Sequence, residues 1–223
     1  MKLSIIIPAY NEEATISEII SKVKAVELDK EIIVVDDGST DKTGGILDSI
    51  NDIKVMHKSN RGKGSAIRAG ISAVTGDVVV IQDADLEYDP NDFVTMLDTM
   101  QRTGAQVVYG SRILHSGYRI SYQRYFMGGK LVTAFTNLLY GTSITDEPTC
   151  YKMIRSELLK SLNLTCNRFE FCPEVTAKIA KRKIKIVEVP INYYPRSIEE
   201  GKKIGPLDGL EALWTLLKFK FTD

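Results

Sequence analysis

The sequence is poor in the residues that staple small folds. Its 223 residues include three cysteines, Cys150, Cys166 and Cys172, and two histidines, His57 and His115. No two cysteines form a CxxC and both histidines stand alone, so a structural zinc is excluded. Reduced, mostly buried thiols are expected instead. Long apolar runs are also missing. The opening MKLSIIIPAY holds a run of three apolar residues before Pro8, too short for the core of a signal peptide. No window approaches the ~20 apolar residues of a spanning helix. Neither sign of charge is in excess, because 29 Lys and Arg balance 29 Asp and Glu. A chain whose main task is coating nucleic acid is thereby excluded. The expectation is a cytoplasmic globular chain. With no internal repeat and no low-complexity linker, it should form one domain over residues 1–223.

What is present is an ordinary soluble composition, 43% hydrophobic and 26% charged. Its N-terminal half alternates short apolar runs with helical patterns. Residues 3–8, 31–35, 53–57, 77–81 and 105–109 read as strands, and 12–26, 64–74 and 91–101 as helices. Asp41 or Thr40 can cap a helix after the second strand. Continuous apolar strands alternating with helices predict a mainly parallel α/β sheet flanked by helices. After residue 112 the pattern changes. Residues 122–140 are aromatic-rich, with Leu131, Val132, Phe135, Leu138 and Leu139 at helical spacing. Residues 170–182 read as a helix, 185–190 as a strand, 194–204 as a polar loop and 207–221 as a C-terminal helix.

Ligands of such sheets bind at the carboxyl ends of strands, and polar motifs sit there. Asp36 and Asp37 follow one strand, Asp83-Ala84-Asp85 another, and Gly110-Ser111-Arg112 a third. Two carboxylates one residue apart form a hard-oxygen site suited to Mg²⁺ or Mn²⁺ bound to phosphates. Along an ideal strand Asp83 and Asp85 share a face, with Ala84 small enough to pack below. For Asp36 and Asp37 a plain turn with helix capping is the alternative. Lys63 lies between Gly62 and Gly64, where backbone can approach a ligand closely; a solvated lysine is the other reading. Gln82 can simply end its strand.

Several segments, in order, resemble the GT-A family 2 glycosyltransferases. They are IIIPAYNEEATI (5–16), EIIVVDDGSTDKT (31–43), NRGKGSAIRAG (60–70), GDVVVIQDADLEYDP (76–90), GSR (110–112), TDEP (145–148) and EVPINYYPRSIEEGKKI (188–204). The last two look especially like the polyprenyl- or dolichyl-phosphate sugar synthases of that family. The resemblance implies a GT-A fold with a nucleotide-binding half (1–112) and an acceptor-binding half (113–223) ending in an amphipathic helix. It implies an inverting transfer from a GDP- or UDP-sugar, such as GDP-mannose or UDP-glucose, to a polyprenyl phosphate.

The roles it implies fall on particular residues. Pro8, Tyr10, Glu12 and Asp37 would line the base and ribose pocket, with Asp36 nearby, and Lys63 would contact the donor. Asp83 and Asp85 would hold the metal beside Ala84. Arg112 and Arg124 would hold the acceptor phosphate, a task suited to guanidinium. The subfamily shows a serine four residues after the second arginine, where this chain has Gly128. Arg196, Lys202 and Lys203 would close over the diphosphate. Asp146 would be a base for a hydroxyl acceptor, or would orient the acceptor or its arginines if that acceptor is an anionic phosphate. Glu170 and Glu174 are expected to organise a helix face.

The 131–140 stripe can pack on the sheet, or it can lie in a membrane plane together with Tyr122, Tyr125 and Phe126. The C-terminal stripe of Leu210, Leu213, Trp214, Leu217 and Phe219 fits the second picture. Peripheral membrane association or a separate membrane subunit is then expected, at the cytoplasmic face. The rivals are a family member acting on a glycan or other hydroxyl in envelope polysaccharide assembly, and a non-catalytic nucleotide-sugar-binding subunit. A nucleotidyltransferase would want an early Gly-rich phosphate loop, which PAYNEE is not.

Overall fold

The computed structural model describes residues 1–115, 117, 123–196 and 205–222, apart from the side chains of Arg124 and Pro206. Its strands are β1 (Leu3–Ala9), β2 (Lys30–Asp36), β3 (Lys54–His57), β4 (Val78–Ile81), β5 (Val107–Ser111), β6 (Lys152–Arg155) and β7 (Ile186–Pro190). They form one seven-stranded sheet in the order β3-β2-β1-β4-β6-β5-β7. The helices are α1 (Ile16–Ala25), α2 (Thr43–Asp48), α3 (Lys63–Ser72), α4 (Asp92–Thr103), α5 (Gln123–Tyr140), α6 (Ser156–Ser161), α7 (Phe171–Lys181) and α8 (Pro206–Phe221).

The apolar runs go to the middle of the sheet. In β1, Leu3, Ile5, Ile6 and Ile7 are all fully buried, as a strand covered on both faces requires. Ile5 pairs with Ile32 on β2 and with Val80 on β4, both parallel. Helix α1 buries Ile16, Ile19, Ile20 and Val23, the stripe its spacing predicts. Neither Asp41 nor Thr40 is the N-cap of α2, which is Lys42; Asp41 just before it accepts the Thr43 N–H at 2.9 Å, and Thr40 turns to Asn11. The three cysteines are free, and Cys150 is buried.

Two short elements, β6 and α6, escape the periodicity. Strand β6 is four residues long and contains Lys152, which is 1% exposed. The Lys152 ammonium donates to the carbonyls of Glu147 at 2.5 Å and Thr149 at 2.9 Å and lies over the Tyr109 ring, so burial does not leave it unpaired. A lysine inside so short a run hides the strand from an apolar-run search. Strand β6 runs antiparallel to both neighbours, β4 and β5. Its first residue therefore lies at the edge where β4 and β5 end. That orientation delivers residues 145–150 to the ligand-binding edge of the sheet.

Helices α5, α7 and α8 pack around a small second core of Val132, Ala177, Leu216 and Phe219. The α5 stripe does not pack on the sheet as expected: Val132 is buried against α7 and α8, while Leu131 and Leu138 are 60% and 84% exposed. On α8, Phe219 is buried, but Leu210 and Trp214 are both 64% exposed. Among the described residues no helix is long and apolar enough to cross a membrane.

Candidate active site

A cleft of about 990 Å³ opens along the carboxyl ends of β1, β2, β4 and β5 and continues between α5 and α8. Pro8, Tyr10, Glu12, Asp37, Lys63, Asp83, Ala84, Asp85, Arg112 and Arg196 all line it. Lys202 and Lys203 lie outside the described residues, as does the side chain of Arg124.

The carboxylate triplet is reached differently from the expectation. Strand β4 stops at Ile81, so Asp83-Ala84-Asp85 is a turn and strand alternation does not orient it. Gln82 fixes the strand end: its amide donates to the Asp83 carbonyl at 2.9 Å and its oxygen accepts the Tyr151 hydroxyl at 2.6 Å. Ala84 is buried beneath. Leu86 follows at φ 63, a left-handed conformation that costs a non-glycine residue about 1–2 kcal/mol. This reversal lets the Asp85 carboxylate accept the Glu87 N–H at 3.1 Å.

Each carboxylate of the triplet faces a cation of the same chain. The Lys63 ammonium lies 2.5 Å from Asp83 Oδ1. Arg196 donates to Asp85 Oδ2 at 2.8 Å and reaches Glu12 at 3.7 Å. Glu87, which sequence reasoning overlooked, accepts the Arg196 backbone N–H and the Tyr193 hydroxyl, both at 2.8 Å, and so seats the 193–196 segment. The signal for it was the spacing: Glu87 continues the Asp83, Asp85 series at every second residue. Burial first, then Asp83 and Glu87, push the Asp85 carboxyl up to about 7 despite Arg196. Burial works against the Lys63 charge, but Asp83 holds its ammonium well above the usual lysine range.

Such crowding of negative charge suits a cation. Among the described residues no group of three or more His, Cys, Asp or Glu side chains is placed to hold a metal by itself. Two hard carboxylates completed by substrate phosphates are how Mg²⁺ is usually bound, so the donor set fits that ion or Mn²⁺.

At the carboxyl end of β2, Asp37 is 3% exposed and already engaged. It pairs with Lys58 and accepts the N–H groups of Arg61 at 3.2 Å and Gly62 at 2.7 Å, anchoring the 60–64 turn. Asp36 does not join the cleft lining; its carboxylate accepts the Ser39 N–H and meets His57 Nδ1, each at 2.9 Å. The glycines around Lys63 serve a contact within the chain. Gly62 has φ 98, and a Cβ on Gly64 would come 2.8 Å from the Cys166 carbonyl and 2.9 Å from that of Arg168. The backbone that approaches closely is the chain's own 166–168 segment.

At the far end, Arg112 and Asp146 form a closed pair. Arg112 donates to Asp146 from its backbone N–H at 2.9 Å, from Nε at 2.8 Å and from a terminal nitrogen at 2.7 Å. Both oxygens of Asp146 are taken. Burial raises the Asp146 carboxyl, but the Arg112 guanidinium and these hydrogen bonds outweigh it and hold the group below the usual range. The Arg112 guanidinium also stacks 5.0 Å over the Tyr193 ring. Glu170 and Glu174 organise the start of α7. Glu170 accepts the N–H groups of Asn167 and Arg168, and Glu174 those of Thr165 and Cys166.

Comparison with known proteins agrees with this architecture. The family model for glycosyl transferase family 2 matches residues 4–162. A low-salt glycan biosynthesis hexosyltransferase of Haloferax volcanii is 29% identical over 97% of this chain and 52% of its own length. A dolichol-phosphate mannosyltransferase of Pyrococcus furiosus is 29% identical over 99% of this chain and 65% of its own. The chain thus spans about half to two thirds of these curated relatives. Among solved structures, glucosyl-3-phosphoglycerate synthase of Mycobacterium tuberculosis, crystallised with Mn²⁺, UDP and phosphoglyceric acid, superposes with a TM-score of 0.70. It is 23% identical and covers 100% of this chain and 79% of its own, a likeness of fold. With the sheet, the paired carboxylates at its ligand edge and the match over residues 4–162 in agreement, the chain belongs to glycosyl transferase family 2, in its GT-A fold.

Proposed function

We propose that this chain moves a sugar from a nucleoside-diphosphate sugar to a polyprenyl phosphate, with inversion at the anomeric carbon. The observation that carries the proposal is the continuity of the cleft. One cavity joins the paired carboxylates, the guanidinium of Arg112 and an apolar end lined by Leu131, Val132, Leu210 and Leu213 of α5 and α8. A diphosphate suits the first, a phosphate the second and an isoprenoid chain the third. The exposed apolar residues of α5 and α8 support seating of that end against a membrane surface. The dolichol-phosphate mannosyltransferase of P. furiosus supports the same acceptor class.

Asp83 and Asp85 would hold Mg²⁺ or Mn²⁺, whose chemistry when bound is to neutralise the departing diphosphate. Lys63 and Arg196 present two further positive charges to the same phosphates. Arg112 holds the acceptor phosphate, one oxygen of which forms the new bond to the anomeric carbon as the bond to the diphosphate breaks. The attacking oxygen is already anionic, so no proton has to be removed. Asp146, engaged through both oxygens by Arg112, is then a positioning residue, with no acceptor proton to take. A hydroxyl acceptor would need a base with a free oxygen.

Transfer from GDP-mannose, UDP-glucose and UDP-N-acetylglucosamine to undecaprenyl phosphate, dolichyl phosphate and oligosaccharides tests the proposal. Product on a lipid phosphate is expected. Product on the oligosaccharides alone would replace the acceptor, and donor binding without any turnover would favour a non-catalytic subunit.

A further inference from the structure

The Lys63–Asp83 pair poses a problem of charge for any divalent ion at Asp83. The Lys63 side chain is 21% exposed, and its root is fixed by Gly62 and Gly64 against the 166–168 backbone. Among the described residues, Asp83 is the carboxylate within ion-pair distance of this ammonium. Its other neighbours are the Cys150 thiol at 3.7 Å and the Phe169 ring centroid at 6.0 Å. Burial holds that thiol in its neutral form, and the ring is a weak partner at the limit of its range. A cation that takes Asp83 therefore strands a mostly buried ammonium, unless a new anion arrives with it.

Arg196 is differently placed. If Asp85 turns to a cation, Arg196 still has Glu87 at 4.0 Å and Glu12 at 3.7 Å. Among the described residues, the two cations that face the triplet are thus unequal: Arg196 has other carboxylates to lean on and Lys63 does not.

We infer that Lys63 is a charge-exchange residue, whose ammonium neutralises Asp83 until donor binds and then passes to the donor's phosphates as a divalent cation takes Asp83. The inference rests on the assignment of Asp83 and Asp85 to the metal. It makes metal and diphosphate binding interdependent beyond their direct attraction, because each resolves the charge that the other disturbs. Lys63 is by this account a binding residue that also suppresses futile capture of metal without donor.

The test is the affinity of Mn²⁺ alone, measured by electron paramagnetic resonance of the free ion on the wild type, Lys63→Gln, Lys63→Arg and Arg196→Gln. The affinity of UDP and of GDP is then measured by calorimetry in Mn²⁺ and in EDTA. Lys63→Gln should bind Mn²⁺ alone roughly tenfold more tightly than the wild type. It should bind the nucleotide more weakly in Mn²⁺, with a smaller loss in EDTA. Lys63→Arg keeps the charge and should bind Mn²⁺ as weakly as the wild type, and Arg196→Gln should gain less than Lys63→Gln. A purely structural lysine would weaken every one of these affinities together. Should Lys63→Gln fail to show a cooperative thermal transition, Lys63→Met, which keeps the aliphatic stem, takes its place. Equal Mn²⁺ affinity in the wild type and Lys63→Gln overturns the exchange while leaving the metal assignment standing. Absence of Mn²⁺ binding in all variants, even with nucleotide, overturns both.

Discussion

Glu188 accepts the backbone N–H of Asp146 at 3.2 Å, so the carboxylate that holds Arg112 is itself held from β7. The same Glu188 carboxylate accepts the Thr145 N–H at 2.8 Å and the Thr145 hydroxyl at 3.0 Å. A chain of acceptors thus runs from the edge strand to the guanidinium in the cleft. Asp146→Asn keeps the shape and removes the charge, leaving Arg112 uncompensated at 17% exposure. It should lower stability by about 3 kcal/mol, and the melting temperature by roughly 6–12 °C in calorimetry. If Asp146 only positions Arg112, transfer to a lipid phosphate should lose acceptor affinity without gaining or losing a limb in its pH profile.

Asp85→Asn leaves the turn hydrogen bond to Glu87 possible but removes one of two charged donors to a metal. Turnover in Mn²⁺, followed by release of nucleoside diphosphate, should fall by about two to three orders of magnitude, the usual scale for losing one transition-state charge stabiliser. Undiminished turnover would remove metal binding at this triplet from consideration.

His57 gives the fold a pH dependence away from the cleft. Its hydrogen bonds to Asp36 at 2.9 Å and Asp48 at 3.1 Å raise its pKa above the ordinary value. The protonated ring is therefore favoured in the folded chain. Its stabilisation is complete below about pH 6.5 and is lost as pH rises through the raised folded value. The side chain is 45% exposed, so the effect should stay under about 1 kcal/mol. Urea titrations of His57→Gln should show a flatter decline from pH 6 to pH 8 than those of the wild type.

Gly128 lines the cleft on α5, and a Cβ added there would meet nothing within 4 Å. Gly128→Ser should therefore be accepted without strain. It should stabilise the helix by a few tenths of a kcal/mol, about the difference in helix propensity. On the lipid-phosphate proposal it should also lower the acceptor KM, read from initial rates against dolichyl phosphate. A rise in KM would argue that the phosphate lies elsewhere.

The parallel strands are legible because burial on both faces leaves an unbroken apolar run, and the face of α1 because burial on one side imposes a helical period. Strand β6 is illegible because a lysine solved by two carbonyls and a ring carries no apolar signal. Among site residues, Asp83, Asp85 and Arg112 announce themselves by following apolar strands. Asp36 and Asp37 look alike in sequence, yet one faces His57 and the other anchors the 60–64 turn. That division is set by partners from distant segments, Lys58 and His57, which local spacing does not record. Glu87 and Tyr193 matter through each other, and they lie 106 residues apart.

The antiparallel strand β6 also has a consequence for how the chain comes into being. Strands β4 and β5 carry the triplet and Arg112 at their ends, yet they do not touch each other in the sheet; β6 lies between them. Neither can finish its hydrogen bonding until residues 152–155 have left the ribosome. Until then a growing chain presents one unsatisfied edge on Val78–Ile81 and both edges of Val107–Ser111, with the cleft undefined between them. The ligand edge thus waits for β6, which also brings Asp146, and then for β7, whose Glu188 fixes that residue, and nascent chains stalled before β6 expose those edges to aggregation.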